Sequence, residues 1–281
     1  MPLFPLDRFQ GALLGIYIGE SLGNLPGAFP RTRFLCLALE NPDPDRLLAT
    51  LPDGISPEEG SLFALLPEIL AFYESPECWR ERSEKIARIW SLPSGASADL
   101  ALWGHALSRV AAGKNPIDRP FPREILPPVE TPLFGQLERV RDAIESDRPF
   151  PSTARQLARS GEPIGTAIAL SLHAFGRTPS DFRLGTRIAR SSPYQGALTT
   201  VLAGLWSGLY NGITGIPLAW RWRNRTDPLW REIEIRAGEL YARWSGVDPR
   251  SAVPLSPSSA IATAGTIQPR KNFRPISRED F

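Results

Sequence analysis

Residues 195–221, QGALTTVLAGLWSGLYNGITGIPLAWR, decide the fold. No charged side chain occurs between Arg190 and Arg221, and Gly196, Gly204, Gly208 and Gly212 recur at multiples of four. Residues four apart share one face of an α-helix. This spacing therefore predicts a helix with a flat groove on which a second backbone can lie. Glycine inside a helix costs about 0.8–1 kcal/mol relative to alanine, so several in register imply a close contact that compensates. A matching stretch lies near the start, GALLGIYIGESLG, with Gly11, Gly15, Gly19 and Gly23 at the same spacing. The expectation is that these two flat helices pack against each other at the centre of the molecule.

The same apolar run also has features of a membrane-spanning helix, because G-x-x-x-G is a dimer face in lipid. Against that stand Gln195, Thr199, Thr200, Ser207, Asn211 and Thr214 within it, and Pro217 at its end. A buried helix of a soluble bundle is expected instead, with no membrane partner.

The composition agrees with this expectation. The 281 residues are 42% hydrophobic and 22% charged, with a formal net charge of +2, so a dedicated nucleic-acid surface is not expected. The 29 prolines, about twice the usual share, point to many abrupt helix ends. Cys36 and Cys78 are the only cysteines and form neither a disulfide framework nor a zinc motif. With no signal-peptide pattern in MPLFPLDRFQ, the expected setting is the cytoplasm.

Along the chain, Asp7 is a plausible cap for a helix reaching residue 23, and Asn24-Leu25-Pro26-Gly27 breaks it. Residues 40–57 read as loop around at most a short helix. Ser56-Pro57-Glu58-Glu59 reads as a helix start: a capping serine, proline at the first position, then acids at the positive end. Pro67 is expected to kink or divide that helix. Further helices are expected over 77–91, 97–112, 133–146, 152–159, 164–176, 180–191 and 228–245. Residues 115–132 hold six prolines and read as a Pro-rich excursion. No segment alternates with period two. The fold class is therefore all-α: one domain over 1–247, then an irregular or disordered tail over 248–281.

Arg8-Phe9-Gln10-Gly11-Ala12-Leu13-Leu14-Gly15, continued by Gly19-Glu20-Ser21-Leu22-Gly23, resembles the opening R-x-x-G-A-L-x-G…G-D-A-L-G of the ADP-ribosylglycohydrolase family. Its bacterial members include the dinitrogenase reductase-activating glycohydrolase. Gly204, Gly208, Gly212, Ile216 and Pro217 resemble the family's late signature, and IGTAIALSLHAF (164–175) resembles the helix before it. The resemblance covers roughly residues 7–23, 55–74, 95–113 and 160–222. It implies a multi-helix orthogonal bundle with a cleft that holds two magnesium ions and hydrolyses glycosidic bonds of ADP-ribose. Hard cations need oxygen ligands, and a metal pair can orient the ribose and activate water.

Residue by residue, the resemblance puts the family's late aspartates on Gln195 and Ala197 and its threonine on Leu198. The early Thr-Asp-Asp falls on Pro57-Glu58-Glu59, and the aspartate after Gly19 is Glu20. The position four residues after Gly23, often a glutamate in the family, is Gly27. With half the anionic ligands gone, the expectation is a protein that holds no metal and needs no cofactor, acting as a non-catalytic binding or regulatory protein. Its partner would be an ADP-ribose-like ligand or another protein. The rival is an active hydrolase using a rearranged Glu58/Glu59/Glu20 site. Candidate cleft residues are Glu20, Glu58, Glu59, Ser192, Tyr194 and Gln195, with an ion pair to an arginine the equal alternative for the buried Glu20.

Other signals have plainer readings. His105 and His173 stand alone on apolar helices, and no G-x-S-x-G elbow supports a nucleophilic serine. Arg221, Arg223 and Arg225 alternate with Trp220 and Trp222, which fits a solvated helix end with packing tryptophans.

Overall fold

Proline marks where helices begin in this protein. The computed structural model describes residues 5–23, 29–113, 131–159 and 162–246, and within them it contains thirteen α-helices and no strand. In chain order the first seven are α1 (Pro5–Gly23), α2 (Pro30–Glu40), α3 (Pro44–Ala49), α4 (Pro57–Ala71), α5 (Pro76–Ile89), α6 (Ala96–Ala111) and α7 (Pro132–Glu145). The others are α8 (Phe150–Ala158), α9 (Pro163–Arg177), α10 (Phe182–Arg190), α11 (Gly196–Gly215), α12 (Leu218–Asn224) and α13 (Pro228–Ser245). Nine of them carry proline in the first two positions. There the missing N–H is no loss and the fixed φ suits the first turn. The proline excess thus sets helix starts more than helix ends. The expected tail (248–281) and nearly all of the expected excursion (115–132) lie outside the described residues.

The two glycine helices meet as expected. α1 and α11 run antiparallel in the closest helix pairing of the fold. A Cβ on Gly15 would land on the carbonyl oxygen of Gly204, and one on Gly208 would land on that of Gly11. One on Gly19 would lie 2.6 Å from the Thr200 oxygen, and one on Gly23 only 3.1 Å from the Ala197 Cα. Gly196 sits outside this contact, with its nearest neighbour at 3.9 Å. Gly212 does more than leave space. Its φ of 67° and ψ of −175° break α11 into two segments, a conformation that suits glycine, and its Cα lies against Gly11. No helix among the described residues is long and apolar enough to cross a membrane.

Around this pair every helix except α12 contributes buried apolar side chains to a continuous core. Arg8 donates to the carbonyls of Val110 (2.8 Å) and Ala111 (3.2 Å) at the end of α6, where a cation meets the negative helix terminus. The Trp206 indole donates to Ser171 Oγ at 2.8 Å and ties α11 to α9. Pro67 does not divide its helix; α4 continues through it to Ala71 with Pro67 buried. α2 was not foreseen, and the reason is physical. Its own N-cap, Phe29, makes no side-chain bond, and the capping carboxylate comes from Glu20 on another helix. α12 was likewise unforeseen as a separate helix.

The two histidines are held neutral. Burial and the neighbouring Arg80 depress His105 to about 4, and Arg80 donates to its Nε2 at 2.7 Å. His173 is fully buried, stacks on Phe150 at 5.5 Å, and is likewise depressed to about 4 by burial and then by Arg177. A histidine whose folded pKa lies below its unfolded value of 6.5 supports folding above pH 6.5 and loses that support as pH falls toward 4. For His173 the full loss is about 3 kcal/mol. His173→Phe keeps the stacked ring and removes two buried ring nitrogens that have no hydrogen-bond partner. Urea unfolding at pH 7 and pH 4.5 is expected to show a shallower loss of stability in this variant. An unchanged acid slope would refute the assignment.

Candidate functional site

Five helix starts converge on a cleft of about 650 Å³. α4 contributes Ser56, Glu58 and Glu59; α6 contributes Asp99 and Leu100; α7 contributes Pro132 and Leu133. Glu162 and Ile164 come from the start of α9, and Gln195 from the start of α11. The sequence builds these starts with small local devices. The Ser56 hydroxyl accepts the Glu59 N–H at 3.2 Å, and Thr131 accepts the Phe134 N–H at 3.1 Å. Gln195, the residue before α11, itself takes the left-handed conformation (φ 48°) and does not cap the helix through its side chain. Leu62, Leu92, Leu100, Leu133 and Ile168 give the cleft an apolar floor.

Of the expected site residues, Glu58, Glu59 and Gln195 line this cleft. Glu20 does not. It is fully buried on α1 and accepts the N–H groups of Arg31 (3.0 Å) and Thr32 (2.9 Å) and the Thr32 hydroxyl (2.7 Å). Its carboxylate is the N-terminal cap of α2. Ser192 and Tyr194 are not on the cleft wall. The Ser192 hydroxyl donates to the Tyr194 carbonyl at 2.7 Å and accepts its N–H at 3.2 Å, closing the turn before α11.

Arg31 joins the two buried glutamates. Its Nε donates to Glu59 Oε1 at 2.5 Å, and its Nη1 stands 3.6 Å from Glu20 Oε1. Burial pushes the Glu59 carboxyl above its ordinary range, Arg31 opposes that shift, and the negative charge of Glu20 adds to it. Asp99 is also raised, first by burial and then by Glu162, against hydrogen bonds from Thr131 and the Leu133 backbone. Arg31, Asp99 and Glu162 escaped the sequence reading. An acid directly before proline at a helix start, as in Glu162-Pro163, was the available signal.

The pair of magnesium ions implied by the resemblance does not fit these residues. The Glu20 oxygens are taken by α2, a guanidinium already sits on Glu59, and Leu198 is core. Ala197 packs against Gly23. Among the described residues no three His, Cys, Asp or Glu side chains gather as a cation site. A fixed positive charge beside the carboxylates opposes a second cation there.

No protein-family model matches the chain, and none of the curated proteins matches it. Its structure is similar to a solved chain described as an "ADP-ribosylglycohydrolase-related protein complex", with a TM-score of 0.60 and 21% identity. That similarity covers 85% of this chain and 98% of the other. Likeness at this identity establishes architecture: this is an all-α protein with the ADP-ribosylglycohydrolase fold.

Proposed function

We propose that the protein is a metal-independent, non-catalytic binding or regulatory protein built on this fold, taking a ligand in the cleft. The observation that carries this is Arg31. It supplies, from within the chain, the positive charge that buried carboxylates require. Hydrolysis of a glycosidic bond calls for two carboxyl groups flanking it or a metal to activate water. Glu20 is sealed beneath α2 and Glu59 is committed to Arg31, which leaves Glu58 without either partner of the rival Glu58/Glu59/Glu20 site. A cytoplasmic setting is in keeping with Cys36 and Cys78, both free thiols.

Calorimetric titration with magnesium chloride is expected to show no stoichiometric uptake, and ADP-ribosyl-arginine is expected to stay intact in the presence of the protein. Tight uptake of magnesium would overturn the reading. Turnover that disappears in Glu59→Gln would instead establish the hydrolase.

A further inference from the structure

The cleft has a charge pattern that a nucleotide diphosphate would not choose. Glu58, Glu59, Asp99 and Glu162 line it, and among the described lining residues there is no lysine, arginine or histidine. Arg31 offsets only Glu59. The helix starts bring about half a positive charge each; those of α4, α6 and α9 are opposed by an acid at the helix start, while α7 and α11 carry none. Glu58 and Asp99 stand in the first turns of α4 and α6, and Glu162 stands at the N-cap of α9. The Asp99 carboxyl is raised chiefly by burial, and Glu162 adds a smaller share. Beneath the acids lies the leucine and isoleucine floor, which favours a hydrocarbon body over a hydrated ion.

The geometry points to an organic cation as the occupant of this cleft: an alkylammonium or alkylguanidinium whose charged groups pair with carboxylates of its wall, Glu58 and Glu162 among them, while its aliphatic part covers the apolar floor. This rests on the metal-independent reading above and names the ligand class. Among the described lining residues no basic side chain shields these carboxylates, so a diphosphate would meet like charge there. The volume of about 650 Å³ accommodates a flexible chain of the size of a polyamine.

The test is calorimetry on the full chain at low ionic strength, with agmatine, spermidine, ADP-ribose and magnesium chloride as separate titrants. Agmatine or spermidine is expected to bind, and raising the salt is expected to weaken binding. Glu162→Gln and Glu58→Gln, both at helix starts on the cleft wall, are each expected to reduce affinity at least fivefold. Arg225→Gln, whose side chain stacks on Trp222 at 3.5 Å away from the cleft, is expected to leave it unchanged. ADP-ribose binding without magnesium, with neither amine binding, would overturn the ligand class and leave the metal-independent reading standing. Stoichiometric magnesium uptake would overturn that reading itself. Amine binding untouched by both glutamine variants, or no binding by either amine, also refutes the assignment.

Discussion

Gly208→Val is expected to leave almost no folded protein. A Cβ at residue 208 falls on the Gly11 carbonyl, and one at residue 15 falls on the Gly204 carbonyl, so even alanine there forces two backbones apart. The gain in helix propensity from losing a glycine is at most about 1 kcal/mol. Separating α1 from α11 loosens packing along the whole pair. Overpacking at flexible core sites costs about 1–3 kcal/mol, and a backbone cannot yield as a side chain does. A loss above about 4 kcal/mol is therefore expected for Gly15→Ala or Gly208→Ala, close to the full stability of many domains. Gly238 on α13 is the internal control, because nothing lies within 4 Å of its added methyl. Gly238→Ala is expected to stabilise by up to about 1 kcal/mol. Thermal and urea unfolding of the three alanine variants decides the matter. If Gly208→Ala unfolded like Gly238→Ala, the interlocked contact would be disproved.

Arg31→Met should carry the second largest effect. Arg31 is mostly buried between Glu20 and Glu59, and removing one partner of a buried ion pair typically costs about 3–5 kcal/mol. Glu20 keeps the N–H and hydroxyl groups of α2, so Glu59 bears most of the loss. The Glu59 carboxyl is already raised by burial, and without Arg31 it rises further. A carboxyl with a folded pKa above its unfolded value makes the native state bind more protons, so stability falls as pH rises through that interval. The penalty of Arg31→Met is thus fully present near pH 7 and shrinks on acidification toward the ordinary glutamate range. The double variant Arg31→Met/Glu59→Gln removes both charges and should recover most of the stability at neutral pH. Equal urea midpoints for Arg31→Met and the parent protein at pH 7 would contradict the argument.

What the sequence disclosed was whatever repeats at short range. Glycines four apart announced the α1–α11 contact, and Ser56-Pro57-Glu58-Glu59 announced the start of α4, because each signal sits within the element it shapes. Signals that cross the chain were invisible. Glu20 caps a helix beginning ten residues later, and Asp99 meets the start of α7, so neither partner could be read from its own neighbourhood. The cleft was half legible for the same reason. Glu58, Glu59 and Gln195 were found through the family motifs, whereas Asp99 and Glu162 join them only when separate helix starts converge. Of the two readings of Glu20, the ion pair with an arginine is the one the structure contains, and its motif position says nothing of which way α2 returns.

The long separation between the two glycine helices bears on how the chain is made. Gly15 meets Gly204, so α1 leaves the ribosome roughly 10–40 s before its mate, taking ordinary elongation rates of about 5–20 residues per second. In that interval α1, with twelve of its nineteen residues destined for the interior, has no permanent shelter. Such distant closure slows folding and leaves the apolar faces of α1 uncovered until residue 212 has been made.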